Sequence, residues 1–168
     1  MEAKMRDREV QARVTSEQVW RQVARASFAV LSHVTPSGEP RSSGVVYRTL
    51  GRRLYVAVAP DSWKAQHVAL DGRVSLTVPV RRGGLLALVM PIPPATISFR
   101  GRAMVHPAGS PDVGPLLDEL GSLLPAERRT SAAIVEIVPE GAFVTYGIGI
   151  SLAKMRDPGS ARARVPVT

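Results

Sequence analysis

The sequence predicts a mainly β domain: about six or seven antiparallel strands in a closed or partly closed barrel, with about three short helices appended. Three observations carry this. Short apolar runs of strand length recur between Gly- and Pro-bearing turn signals, whereas helical spacing of apolar residues appears in only a few segments. The chain is 45% hydrophobic but only 5% aromatic, so its core must be built from Val, Leu, Ile and Ala, which suits short strands. At 168 residues it fits one domain, able to bury roughly 70% of the surface its unfolded chain exposes.

Residues 1–14 are polar, lack sustained periodicity and read as a flexible lead-in. Thr15 or Ser16 can cap a first helix that holds Val19, Trp20, Val23 and Ala24 on one face, with Trp20 a core or dimer contact. A strand over Ser27–Val34 ends in the turn Thr35-Pro36-Ser37-Gly38, a second runs over Arg41–Thr49, and a third, Arg53–Ala59, follows the Leu50-Gly51-Arg52 turn; together they predict a meander. Asp61 or Ser62 then caps a helix that runs to Leu70 and closes at Gly72, before a fourth strand over Arg73–Val80.

Residues 81–95 carry Gly83, Gly84 and prolines at 91, 93 and 94, which marks a long loop. Thr96–His106 resumes strand spacing. Ser110-Pro111 opens a helix with Val113, Leu116, Leu117, Leu120, Leu123 and Leu124 on one stripe; Pro115 is expected to confine its regular part to the C-terminal side. Ser131–Val138 and Ala142–Ile150 read as the last two strands, joined across Pro139-Glu140-Gly141. Residues 153–168 read as a basic tail, leaving 15–152 as the domain. The glycines of Tyr146-Gly147-Ile148-Gly149-Ile150 lack the third glycine and following helix of a dinucleotide loop, so they mark close backbone approach or a bulge.

Composition narrows the function. Without cysteine there is no disulfide, thiolate metal site or thiol catalysis, which fits a reducing cytoplasm. No apolar stretch approaches the roughly 18 residues that cross a bilayer, and the mixed-charge start gives no secretory signal, so neither membrane nor export is expected. The net charge of +8 favours anionic partners. The arginines are scattered and few aromatics interleave with them, so the expected partner is not nucleic acid but a small anionic molecule. His33, His67 and His106 are far apart, none at metal-ligand spacing; each reads as structural and no metal site is expected.

The sharpest local feature is the junction from Pro60 to Ala65, where a strand feeds a helix whose first turn offers free amides, the Ser62 hydroxyl and the Lys64 ammonium. That is an anion site in outline, although Ser62 as a plain N-cap and Lys64 as a solvated charge account for the same residues.

The order of elements around that junction resembles the pyridoxamine 5′-phosphate oxidase-like family. The resemblance spans Ser27 to Val80, with weaker support to Tyr146. It is carried by Phe28-Ala29-Val30-Leu31-Ser32 before Gly38-Glu39-Pro40, then Leu54-Tyr55-Val56, Ser62-Trp63-Lys64-Ala65 and Gly72-Arg73-Val74-Ser75-Leu76. It implies a homodimeric split β-barrel with flavin mononucleotide (FMN) between subunits, acting as an oxidoreductase on a small-molecule substrate. By position, Ser43, Gly44, Val45, Val46 and Arg48 would follow the flavin, Ala57 and Val58 would lie under its ring, and Ser62, Trp63 and Lys64 would hold its phosphate; Thr96 and Tyr146 are further candidates. The family oxidase usually has arginines where this chain has Ser43 and Trp63, and Ala161-Arg162-Ala163-Arg164-Val165-Pro166 matches its product-binding end only loosely, so vitamin B6 oxidation is not expected. Related members use an 8-hydroxy-5-deazaflavin coenzyme or bind haem; for haem, His33 would be the axial ligand to watch.

Overall fold

A computed structural model describes residues 14–81, 94–120, 127, 131–151, 155 and 157–168. The elements are α1 (Ser16–Arg25), β1 (Phe28–Val34), β2 (Pro40–Val46), β3 (Arg48–Leu50), β4 (Arg53–Val58), α2 (Trp63–Leu70), β5 (Arg73–Val80), β6 (Ala95–His106), α3 (Val113–Leu120), β7 (Ala133–Tyr146), α4 (Pro158–Ala161) and β8 (Arg162–Pro166). The expected loop between β5 and β6, and Leu123 and Leu124 of the third helix, lie largely or wholly outside the described residues.

The strands form one antiparallel sheet in the order β2-β1-β5-β6-β7-β4-β3, with β8 beside β7. The sheet curls until β2 approaches β4, yet no ladder joins those two among the described residues. The barrel is therefore split along the β2–β4 seam. Alternation places Ala29, Leu31, Val45, Val56, Val58, Leu76, Val78, Ile97, Phe99, Val135 and Ile137 inside. Three aromatics pack together there: Phe143 meets Trp20 and Phe99 edge to face, with ring centroids 5.2 and 5.3 Å apart.

Thr15 caps α1 in a complete capping box with Gln18, and the face bearing Val19, Trp20 and Val23 closes one end of the barrel. The expected strand Arg41–Thr49 is broken at Tyr47. That ring is fully buried and its hydroxyl donates to the Val23 carbonyl at 2.6 Å, a tether that turns the chain from β2 into β3. Pro115 falls in the first turn of α3, where a missing N–H costs nothing, so regular helix begins before it. Val113 and Leu120 of α3 pack on Tyr55 and Ile134 outside the barrel.

Two expectations at the C-terminal end are corrected. Pro139-Glu140-Gly141 is no hairpin turn: β7 is one 14-residue strand with an irregularity, because its register against β6 slips between Ser98 and Arg100 and Gly141, at φ 75°, absorbs the extra backbone. The bulge changes β7's partners, so residues before it pair with β4 and those after it with β8. The strand ends at Tyr146 rather than Ile150, where Gly147 turns the chain away at φ 75°. The supposed tail supplies α4 and β8 instead, with Ala163, Val165 and Val167 buried against the barrel and Arg162 and Arg164 facing out. The Val167 carbonyl accepts from Trp20 Nε1 at 3.0 Å and from Ser16 Oγ at 3.2 Å, which locks this end to α1.

Candidate functional site

The β2–β4 seam opens into a cleft of about 190 Å³ lined by Gly44, Val45 and Val46 of β2, Val56, Ala57 and Val58 of β4, and Lys64 of α2. Six of the expected cofactor residues thus come together, and Val56 joins them. The reason lies in the pairing. β2 is bonded to β1 on one side only, and β3 covers β4 only over Arg53–Tyr55, so the backbone of residues 56–58 faces β2 unpaired. Such open strand edges present N–H and C=O groups to whatever fills the gap. Valines supply its apolar lining, and Lys64 is the only charged residue among the described ones that line it.

At one end stands the first turn of α2. Ser62 Oγ accepts from the Ala65 amide at 3.3 Å and is the N-cap, so this hydroxyl is committed to the helix. The Trp63 and Lys64 amides, the first two of the helix, have no hydrogen-bond partner among the described residues, and the Lys64 ammonium sits 5.4 Å from the Trp63 ring centre. Ser43 lies on β2 just before the cleft, its Oγ buried and without a partner among the described residues. Two free amides, an ammonium and an unpartnered hydroxyl fit a phosphoryl group, and the open strand edges fit the hydrogen-bonding rim of a planar heterocycle.

Three expected residues lie elsewhere. Arg48 is on β3 opposite Tyr55, outside the cleft lining. Thr96 and Tyr146 pair with each other, and Tyr146 Oη donates to the Met155 carbonyl at 2.9 Å. Three strands of the sheet separate β7 from β2, and neither Thr96 nor Tyr146 lines the cleft of one protomer.

The histidines, far apart in sequence, include two that meet in space. His33 points inward from β1 and its Nε2 lies 3.2 Å from His67 Nδ1 on α2. Trp63 stacks on His33 with centroids 5.2 Å apart and planes 29° apart, so Trp63, 45% exposed, is a lid over the pair rather than a free surface ring. Burial, then the neighbouring His67, Lys64 and Arg41, hold His33 below the ordinary imidazole range. A signal was present: Trp63 and His67 are four apart on one helix, and His33 has the inward parity of Ala29 and Leu31. His106 bonds Glu136 at 2.7 Å, and Glu136 also accepts from Arg53, which ties β6, β7 and β4 together outside the barrel. Burial pushes the Glu136 carboxyl up, but the hydrogen bonds from His106 and Arg53 outweigh it and leave it below the usual range. No group of three or more metal-binding side chains occurs among the described residues.

No protein-family model matches the chain, and no curated protein matches it either. Solved structures do. An F420 reductase superimposes with a TM-score of 0.54 at 18% identity, over 73% of this chain and 93% of that one. A putative pyridoxamine 5′-phosphate oxidase from Listeria innocua gives 0.55 at 18% identity over 74% and 93%. The chain has the fold of the pyridoxamine 5′-phosphate oxidase-like split barrels. The haem storage protein HutZ from Vibrio cholerae also shares it, at TM-score 0.60 and 13% identity over 80% and 96%. The fold thus serves flavin-, deazaflavin- and haem-related proteins, and no helix among the described residues is long and apolar enough to cross a membrane.

Proposed function

We propose that this chain is an FMN-dependent oxidoreductase, acting in the cytoplasm as a homodimer on a small molecule. The observation that carries the reading is the β2–β4 cleft, with unpaired strand edges along its length and the α2 amides with Lys64 at one end. The Trp63 and Lys64 amides and the Lys64 ammonium would bind the phosphate, with Ser43 Oγ as a further donor. The backbone of β2 and β4 would orient the ring, and Val45, Val56 and Val58 would keep water from it. When bound, the flavin supplies the hydride chemistry, so the protein needs only to position it and tune its surroundings. No catalytic side chain is assigned.

Two features support the homodimer. The cleft volume of about 190 Å³ falls below the roughly 300–1,000 Å³ of small-molecule sites, so a second copy would have to complete it. The outer sheet face also carries a row of uncharged residues, Gly44, Val30, Thr77, Ser98 and Val144, beside exposed Phe28 and Val46, on a chain with net charge +8. A partner could bring Thr96 and Tyr146 to the cleft from which they are absent in one protomer.

The alternative, a reductase using an 8-hydroxy-5-deazaflavin coenzyme, draws support from the likeness to an F420 reductase and from the basic charge. The haem reading is weakened by His33 itself: the ring is 2% exposed, capped by Trp63 and bonded to His67, and so poorly placed to reach an iron. The absorption spectrum of the purified full chain, followed by titration with FMN and then with reductant and quinone, tests the proposal. A flavin spectrum with turnover is expected. A colourless protein that ignores FMN but takes electrons from the reduced deazaflavin coenzyme would move the assignment to the alternative, and binding without turnover would make it a carrier.

A further inference from the structure

His33 and His67 belong to none of the contacts that would hold a flavin phosphate, yet they adjoin the helix turn that offers them. Their 3.2 Å contact needs one shared hydrogen, and two neutral arrangements supply it. Either His33 Nε2–H donates and its Nδ1 is a bare lone pair, or His67 Nδ1–H donates and His33 Nδ1 carries a hydrogen with no acceptor. Adding a proton to either gives one and the same cation, spread over both rings, with an N–H at His33 Nδ1 and another at His67 Nε2.

In the free protein the His33 half of that cation is opposed by its surroundings, whereas His67 is half-buried. His33 is 2% exposed and its Nδ1 has no partner among the described residues. The charges facing it are Lys64 from α2 and Arg41 from β2, and from β5 its register partner is the apolar Val74. Of the carboxylates flanking β1, β2 and α2, Glu39 lies 3.6 Å from Arg41, Asp71 is bonded to Arg73 at 2.6 Å, and Asp61 is exposed before the Ser62 cap. A dianion at the Trp63 and Lys64 amides reverses this balance, because it neutralises Lys64 and attracts the positive charge of the pair through space.

We propose that the His33–His67 pair is a proton-taking part of the anion site, which binds one proton together with each phosphoryl group and so selects a phosphate-bearing flavin over its dephosphorylated form. The inference rests on the flavin-phosphate reading of the cleft. The balance is simple: a neutral pair, a phosphate dianion and one proton from solvent give a pair cation beside the dianion, with nothing oxidised or reduced.

Isothermal titration calorimetry of the full chain with FMN at pH 7, in buffers of different ionisation enthalpy, reads the net proton exchange. Uptake of about half a proton or more per FMN is expected, with affinity that strengthens several-fold per unit fall in pH, and neither effect with riboflavin. The ligand's phosphate can only release protons on binding as a dianion, so uptake reports on the protein. The double variant His33→Gln/His67→Gln should abolish the uptake while FMN still binds, and His33→Gln alone, which should lower it, is the second variant should the first misfold. FMN binding without uptake by the wild-type chain, equal uptake with riboflavin, or undiminished uptake in a folded variant overturns the inference and leaves the flavin reading intact. A failure to bind FMN at all overturns both.

Discussion

Replacing Lys64 by alanine removes the one charged side chain among the described residues that line the cleft. A charged hydrogen bond to phosphate contributes about 1.5–3 kcal/mol. Lys64 is only half-buried, so solvent screening puts the expected loss near the lower bound, which is about tenfold in Kd. The ammonium also lies 5.4 Å from the Trp63 ring centre, a contact of about 0.5–1 kcal/mol at an exposed site, but free and bound protein share it and it cancels from the affinity. Quenching of flavin fluorescence, titrated with FMN and with riboflavin, separates the phosphate contribution from that of the ring. FMN should weaken about tenfold, riboflavin by less than about twofold, and Lys64→Arg should keep most of the FMN affinity. Equal losses for both ligands, or none for either, would mean that the ammonium does not meet a phosphate.

Tyr47→Phe deletes the hydroxyl that tethers the β2–β3 corner to the Val23 carbonyl at 2.6 Å and leaves a buried acceptor unpaired, so urea unfolding should show a loss of about 1–3 kcal/mol with unchanged slope. Glu136→Gln should cost about 1–2 kcal/mol at pH 7, since Arg53 is exposed and screened. Because Glu136 is held below the ordinary carboxylate range in the folded state, its contribution is present above that range and is lost as pH falls through the lowered value; denaturation midpoints of variant and wild type should converge in acid. Val30→Glu places a charge in the middle of the uncharged outer row, and sedimentation analysis should show a shift from dimer to monomer; a dimer that survives would place the interface on another face.

Much of the barrel was legible because strand parity and turn chemistry are local. Thr15 and Ser62 announced their helices, and the run from Ser27 to Val80 gave the elements that build the cleft. Tyr47 could not be foreseen as a breakpoint, since what bends the chain there is a carbonyl on α1, not a neighbour in sequence. Pro139-Glu140-Gly141 carries the composition of a turn; whether it turns or bulges depends on β6 and β8 lying alongside, a tertiary matter. Arg162–Pro166 looked like a tail because its charges are conspicuous, while the alternating Ala161, Ala163, Val165 and Val167 that bury it are small. His33 and His67 lie 34 residues apart, a separation that a strand and a helix closing on each other erases.

One consequence of β7's position concerns the order of assembly. β4 reaches the sheet only through β7 and the three-residue β3, whereas β1, β2, β5 and β6 can pair among themselves. A ribosome-bound chain synthesised only as far as β6 therefore has no sheet position for Val56, Ala57 and Val58. Docking them requires closure of a loop from β4 to β7, among the longest-range steps in this topology and so among the slower ones. On the flavin reading proposed above, cofactor loading would then be a late event, confined to molecules whose C-terminal half has already been made and folded.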